Sequence, residues 1–186
     1  GQQYVTGSID GIYSFVHPHG CSQMGSDQEN LQRILAGLIN NPNAAAVLVV
    51  GLGCEYNQID LLKPFIGPYD EERVKFMVCQ DFEDETEEGL RLLEELAGYA
   101  SRFTRQPADA SSLVVGLKCG GSDGFSGITA NPLVGSFSDC LIAQGGSTIL
   151  TEVPEMFGAE TLLMERCQDE ATFDKTVNLI NRFKEY

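Results

Sequence analysis

Positively charged residues are scarce in this sequence of 186 amino acids. Lysine and arginine together number 12, against 27 aspartates and glutamates, and the formal net charge is −15. Nucleic-acid backbones and anionic membrane surfaces are themselves negative, so a protein with this charge balance is repelled by both. We therefore expect neither nucleic acid nor a membrane among its partners.

Long hydrophobic segments are missing as well. The longest apolar run, from Ala44 to Leu52, has about half the length that a bilayer-spanning helix requires. The first four residues, GQQY, show neither a basic start nor an apolar core, so we expect no signal peptide. These features predict a cytoplasmic protein.

The sequence also contains no C-x-x-C pair, which argues against a zinc ribbon and against a thioredoxin-like redox site. A chain of this length buries enough surface to fold without disulfide bonds, and cytoplasmic thiols stay reduced. We therefore expect reduced thiols at all six cysteines, which are Cys21, Cys54, Cys79, Cys119, Cys140 and Cys167.

What the sequence does contain is a regular alternation of short apolar segments with helical segments. Strands that are apolar throughout and alternate with helices are typical of a parallel sheet covered on both faces. We predict one α/β domain over residues 1–186, with a mostly parallel sheet of about five strands and helices on both faces. The predicted strands are residues 12–16, 46–50, 74–78, 113–117 and 147–150.

The helical segments carry their own start and stop signals. Ser26 and Glu29 have the spacing of a capping box, and Asn41-Pro42 ends the apolar periodicity that follows. A second helix follows the acidic residues after position 80. Pro132 and Gly135 are expected to break a weaker helical segment that runs to about residue 143. Two further helical stretches complete the chain.

Polar and ionisable residues collect directly after the predicted strands. In an open parallel α/β sheet, ligands bind outside the carboxyl ends of the strands, so we expect these groups to line one edge. Taken singly, each has a structural alternative, such as a turn glycine or a buried cysteine. The set comprises His17, His19, Cys21, Cys54, Glu55, Cys79, Asp81, Lys118, Cys119, Ser122, Asp123, Glu152 and Glu155.

Phosphate-binding motifs are not complete in this sequence. Gly51-Leu52-Gly53 follows a predicted strand, but the third glycine of the dinucleotide fingerprint is missing, and there is no Walker lysine pattern. We therefore reject a dinucleotide or P-loop site.

At these same strand ends the sequence resembles the altronate/galactarate dehydratase family. The resemblance is carried by HPHGCSQ at residues 17–23, VVGLGCE at 49–55, CGGSDGFSGITANP at 119–132 and TEVPEMFGAE at 151–160. It extends over essentially the whole chain from about residue 9. The family pattern H-x-x-G-C matches His17, Gly20 and Cys21, whereas His19 falls at a variable place.

The resemblance implies dehydration of a sugar acid, D-altronate giving 2-dehydro-3-deoxy-D-gluconate and water, with galactarate as the alternative substrate. It implies a divalent metal, iron(II) favoured over manganese(II). Because family enzymes are longer, the chain resembles an excised central domain whose partners are the N- and C-terminal domains of the same polypeptide. We expect the chain alone to be inactive, because such sites often lie between domains. The oligomeric state is left open.

The resemblance and the chemistry together suggest roles for individual residues. Removing a proton beside a carboxylate creates a doubly charged enolate, which requires positive charge and proton-transfer groups. We predict His17, Glu55, Asp123 and Lys118 as catalytic residues, and Gly120, Gly121, Ser122, Ser126, Glu152 and Glu155 as substrate-binding residues. The predicted metal ligands are Cys21, Cys54 and Cys119, with His17 or His19 as alternatives.

Several alternatives remain open at this stage. A mononuclear metal and an iron–sulfur cluster are both compatible with the sequence. The chain could instead be a non-catalytic scaffold or subunit-contact domain, in which case the strand-end loops would be scattered over separate faces. A thiol-based redox or cluster-carrier module would need two thiols within bonding reach.

Overall fold

The computed structural model describes residues 7–185. The chain divides into two compact units, one ending at Gln106 and the other beginning at Pro107.

The first unit is a two-stranded parallel sheet with three helices. Strand β1 (Val47–Gly51) pairs with β2 (Val74–Val78), and Val47 lies opposite Val74. The helices are α1 (Ser26–Ile39), α2 (Ile59–Ile66) and α3 (Glu85–Ala100). Helices α1 and α2 contact each other, while α3 contacts both strands.

The core of the first unit forms between α1, α2 and the start of β2. Its buried side chains are those of Ala36, Ile39, Leu62, Ile66 and Val74. The guanidinium of Arg73 closes one end of this core, because its Nη2 lies 3.0–3.1 Å from three carbonyl oxygens at and after the end of α1. The carbonyls at the end of a helix have no partner within it, so Arg73 satisfies acceptors that the helix cannot.

The second unit has the same plan with different helices. Strand β3 (Val114–Leu117) pairs in parallel with β4 (Ser147–Leu150), and Leu117 lies opposite Leu150. The connecting helix is α4 (Ala130–Ala143), and α5 (Glu160–Met164) and α6 (Glu170–Glu185) follow β4. The most deeply buried apolar side chains of this unit are Leu141 and Ile180.

The alternation of strands and helices is confirmed, but the five-stranded sheet is wrong. The described residues form two separate two-stranded sheets. Residues 12–16, the predicted first strand, have neither helical nor strand structure, and Tyr13, Phe15 and Val16 are exposed. An apolar β-prone pattern indicates that a segment can form a strand, but it does not supply the neighbouring strand that its backbone needs.

Two helix predictions also need correction, and one helix was not predicted. Helix α1 begins after Gly25, which has φ 59°, and no side chain caps it, so the capping box at Ser26 and Glu29 does not form. Helix α2 was not predicted. Helix α4 is continuous through Pro132 and Gly135, because Pro132 lies in the first turn, where a backbone N–H has no helical partner to lose.

Among the described residues, no helix combines the length and the apolar character needed to cross a bilayer.

Candidate active site

Two loops of the second unit lie side by side because the strands that precede them are parallel neighbours. The pairing continues past both strands, since the backbone N–H and the hydroxyl of Thr151 donate to the carbonyl oxygen of Leu117 at 3.2 and 2.7 Å. Residues 118–119 after β3 therefore lie beside residue 152 after β4. This is the strand-end edge where α/β sheets bind ligands.

Glu152 is held at this edge by two donors. The ammonium of Lys118 lies 3.0 Å from its Oε1, and the backbone N–H of Cys119 donates to its Oε2 at 3.0 Å. The hydrogen bond from Lys118, and next that from Cys119, hold the pKa of Glu152 below its ordinary value. The same carboxylate raises the pKa of Lys118.

A group of possible metal ligands surrounds this carboxylate. Glu155 lies in the short 3-10 turn (Val153–Met156) that follows Glu152, and its backbone N–H donates to the carbonyl of Glu152 at 2.9 Å. One ligand atom each from Cys119, Glu152 and Glu155 lie within 4.8 Å of one another. One thiolate and two carboxylates form a donor set that fits a divalent transition metal such as iron(II) or manganese(II). Three cysteines, by contrast, would fit an iron–sulfur cluster.

The loop after Cys119 holds its own shape through side-chain contacts. The hydroxyl of Ser122 lies 2.9 Å from the Cys119 Sγ. Asp123 Oδ1 accepts the backbone N–H of Phe125 at 2.8 Å and the hydroxyl of Ser126 at 3.3 Å. At Gly120 and at Gly121, an added Cβ would meet no atom within 4 Å, so the backbone of this loop is accessible to a ligand.

A cleft of about 350 Å³ adjoins the possible metal ligands. Glu155 belongs to both the cleft and the group with Cys119 and Glu152. Arg166 provides a positive charge in the cleft, and most of the remaining lining is apolar. The lining residues are Leu150, Thr151, Glu155, Met156, Ala159, Leu162, Leu163 and Arg166.

The two histidines lie close together in the first unit. The rings of His17 and His19 are stacked, with centroids 6.3 Å apart and planes 19° apart. The backbone N–H of His19 donates to Nδ1 of His17 at 3.3 Å, and the Gln23 amide lies 3.2 Å from Nδ1 of His19. A neutral His17 ring that accepts at Nδ1 carries its proton on Nε2.

The loop after β1 brings the predicted residues Cys21, Cys54 and Glu55 together. The Sγ of Cys21 lies 3.6 Å from the carbonyl oxygen of Cys54. Glu55 is buried, and its two carboxylate oxygens accept the backbone N–H groups of Leu52 at 2.9 Å and Gly53 at 2.7 Å. The Glu55 carboxylate therefore stabilises the loop that follows β1.

One residue of this region was missed by the sequence analysis. Asn57 is 7% exposed, and its Oδ1 accepts no hydrogen bond from any described residue. A lone asparagine in a loop gives no sequence signal, because its burial depends on the tertiary fold.

Within each unit, the structure gathers some predicted residues and separates others. In the second unit, Lys118, Cys119, Ser122, Glu152 and Glu155 form one connected group. In the part of the chain that the structure describes, Cys119, Glu152 and Glu155 form the one group of three possible metal ligands. Of the predicted ligands Cys21, Cys54 and Cys119, this group includes Cys119. All six cysteines are free thiols. The sequence signal for Glu152 and Glu155 is their position shortly after a predicted strand, three residues apart.

Two family models match the chain, one over each unit. Residues 2–101 match the model described as "D-galactarate dehydratase/Altronate hydrolase, second domain". Residues 110–186 match the model described as "D-galactarate/Altronate dehydratase, C-terminal".

Curated relatives agree with these matches. Altronate dehydratase of Escherichia coli (strain K12) is 54% identical over 177 residues, which are 95% of this chain and 36% of that protein. Altronate dehydratase of Bacillus subtilis (strain 168) is 54% identical over 190 residues, covering 100% of this chain and 38% of that protein. The (2R)-sulfolactate sulfo-lyase subunit beta of Chromohalobacter salexigens is 35% identical over 190 residues, covering 97% and 48%. The chain thus spans little more than a third of the length of the two altronate dehydratases.

Proposed function

Because the chain belongs to the D-galactarate/altronate dehydratase family, we propose that it forms part of a divalent-metal-dependent hydro-lyase that removes water from a sugar acid. D-Altronate is the favoured substrate, since two altronate dehydratases are 54% identical to the chain. Galactarate is the alternative, because the family description includes it.

The proposed reaction is an elimination across C2 and C3 of the sugar acid. A base takes the proton from C2, and the C3 hydroxyl leaves with a second proton as water. The resulting enol takes up a proton at C3 and releases the proton of its C2 hydroxyl, which gives 2-dehydro-3-deoxy-D-gluconate. A relative named for (2R)-sulfolactate supports this scheme, because sulfolactate is also a 2-hydroxy acid with a leaving group on C3.

The observation that carries the proposal is the group formed by Cys119, Glu152 and Glu155. These residues would hold the metal, iron(II) favoured and manganese(II) as the alternative. A divalent cation there would supply the positive charge that a developing enolate beside a carboxylate requires. The scaffold alternative predicts scattered loops, and the close approach of the Cys119 and Glu155 loops instead favours an enzyme.

The chain's own residues would supply binding and proton transfer. We assign the Gly120–Gly121 backbone and Ser122 to the substrate, since this loop is open and lies next to Cys119. His17 is the preferred proton-transfer residue, because its contact with His19 fixes which ring nitrogen carries the proton. Glu55 and Asp123 are less suited to this role, since both carboxylates already accept hydrogen bonds within their own loops.

Turnover by the full gene product tests the proposed function. Protein purified without oxygen should dehydrate D-altronate, lose activity with a chelator and regain it with iron(II). Galactarate and manganese(II) are assayed in parallel to define the substrate and the metal. Absence of dehydration with both sugar acids, or turnover unaffected by the chelator, would contradict the proposal.

Variants in the first unit test the residue assignments. His17→Ala should abolish turnover while circular dichroism shows an unchanged fold, because the proposed proton-transfer group is lost. Cys54→Ala tests the prediction from the sequence that Cys54 is a metal ligand, which requires the same loss of turnover. Cys140→Ala is the matched control, since Cys140 is an exposed cysteine on α4. Normal turnover in the first two variants would remove these residues from the site.

A further inference from the structure

Lys118 occupies one of the two carboxylate oxygens of Glu152, which is a possible metal ligand. Both oxygens of Glu152 have partners, Oε1 with the Lys118 ammonium and Oε2 with the Cys119 backbone N–H, each at 3.0 Å. The Cys119 donor belongs to the backbone, and the hydrogen bond from Thr151 to the carbonyl of Leu117 holds that backbone beside residue 152. The Lys118 side chain is the partner that can leave.

We propose that Lys118 is an exchangeable cation: it neutralises Glu152 when the metal site is empty, and it moves to the substrate carboxylate when a metal binds Glu152. This inference rests on the proposed function. It makes Lys118 a link between metal loading and sugar-acid binding, so that the metal-loaded protein is the form that receives the anionic substrate.

The charges around Cys119 explain why a resident cation is needed. A thiol and two carboxylates within 4.8 Å repel one another once ionised, and the chain carries a formal charge of −15. Lys118 offsets part of this negative charge. A divalent metal offsets more of it, so Lys118 and the metal compete for Glu152.

The Lys118 side chain is suited to such a move. It is 71% exposed, so its ammonium can leave Glu152 without uncovering any buried surface. Its four-carbon stem is flexible and ends in a compact charge, which binds carboxylates without a fixed geometry. Its backbone directly follows β3, so the side chain stays anchored beside the Gly120–Gly121 loop.

Another described lysine of the second unit offers a matched control. Lys184 also pairs with a glutamate, Glu160, at 2.7 Å, and neither residue belongs to the group of possible metal ligands. Substitution of Lys184 therefore removes an ion pair and one positive charge without altering the proposed exchange.

Manganese(II) binding tests the competition directly. We would titrate the full gene product with Mn²⁺ and follow free Mn²⁺ by electron paramagnetic resonance. Lys118→Met should tighten Mn²⁺ binding by roughly three- to tenfold, because the competing cation is gone. Lys118→Arg should restore weaker binding, and Lys184→Met should match the wild type. Equal or weaker Mn²⁺ binding by Lys118→Met would overturn the exchange and indicate that Lys118 instead orients Glu152 for the metal.

Altronate binding tests the second half of the exchange. With Mn²⁺ saturating, calorimetry should show altronate bound at least about tenfold more weakly by Lys118→Met than by the wild type. The same substitution should thus tighten the binding of Mn²⁺ and weaken the binding of altronate. Unchanged altronate affinity would overturn the transfer to substrate. Wild-type protein that binds neither Mn²⁺ nor iron(II) would overturn the proposed metal function itself, whereas failure of the Lys118 variant alone overturns only the exchange.

Discussion

At the scale of single residues, backbone strain coincides with the candidate site. Ser122, with φ 46°, and Glu152, with φ 61°, are the non-glycine residues of positive φ in the part of the chain that the structure describes. Both contact Cys119. Such conformations cost about 1–3 kcal/mol each and persist where surrounding contacts enforce them, commonly at functional sites. Their placement supports Cys119 as the centre of the second unit's site.

Glu55 provides a residue-scale prediction about stability. Glu55→Ala removes both acceptors for the backbone N–H groups of Leu52 and Gly53, so the free energy of unfolding should fall by about 1–3 kcal/mol. Urea unfolding followed by circular dichroism measures the change. The exposed Glu83→Ala is the control and should stay within about 0.5 kcal/mol of wild type. Equal stability of both variants would show that the Glu55 contacts contribute nothing.

The sequence predicted which residues stand at strand ends, but not which of them meet. Lys118, Cys119, Glu152 and Glu155 were all identified as candidates from their positions after apolar segments. Their convergence depends on β3 and β4 being neighbours, and strand order is not encoded in local periodicity. The group of possible metal ligands could therefore not be assembled before the pairing of the strands was known.

At the scale of elements, two helices contain a proline, and for one of them, α4, the sequence predicts a break that the structure does not show. Helix α2 carries Pro64 near its C-terminal end, although Ile59, Leu62 and Ile66 have helical spacing and are buried. Packing of this apolar face compensates for the hydrogen bond that Pro64 cannot make. In α4 the proline lies in the first turn and costs little. The position of Pro132 in the first turn of α4 and the packing of the apolar face of α2 around Pro64 therefore allow both helices to form.

Two glycines give opposite predictions for the same substitution. Gly53 has φ 118°, and an added Cβ would lie 2.8 Å from Gln80 Oε1, so Gly53→Ala should destabilise the protein by about 1–3 kcal/mol. Gly37 lies inside α1 with nothing within 4 Å, so Gly37→Ala should stabilise it by about 0.4–1 kcal/mol. Chemical denaturation of both variants measures the two signs, and the same sign for both would contradict this account.

The contact between α5 and α6 predicts an acid-sensitive element. The Lys184 ammonium and the backbone N–H groups of Glu160 and Gly158 lower the pKa of Glu160 from 4.5 to about 2. The unfolded chain therefore binds more protons between these values, so this stabilisation is complete above pH 4.5 and is lost as pH falls towards 2.

Lys184→Met tests this dependence. The variant should lose less stability than the wild type between pH 5 and pH 3 in thermal unfolding, since its Glu160 titrates closer to its ordinary pKa. Lys175→Met, an exposed lysine on the same helix, should keep the wild-type slope. Parallel pH dependence in all three proteins would contradict the role of this pair.

At the scale of the whole molecule, the sequence predicts the fold class and the family but not the pairing of the strands. The sequence correctly indicated an α/β chain and its family, because periodicity and long motifs are local properties. It did not predict two separate two-stranded sheets, because pairing between strands depends on contacts distant in sequence. Given the excess of negative charge, the proposed sugar-acid substrate would have to be attracted locally, by the proposed metal, Lys118 and backbone N–H groups.

The most direct test is the metal content of the full gene product purified without oxygen, measured together with altronate turnover. We predict about one divalent metal per chain in the wild type and in Glu165→Gln, a control at an exposed glutamate outside the ligand group. In Glu155→Gln, metal affinity should fall by at least about tenfold. Metal content and turnover should therefore fall together. Full metal occupancy and normal turnover in Glu155→Gln would contradict the assignment of Cys119, Glu152 and Glu155 as the metal site of a sugar-acid dehydratase.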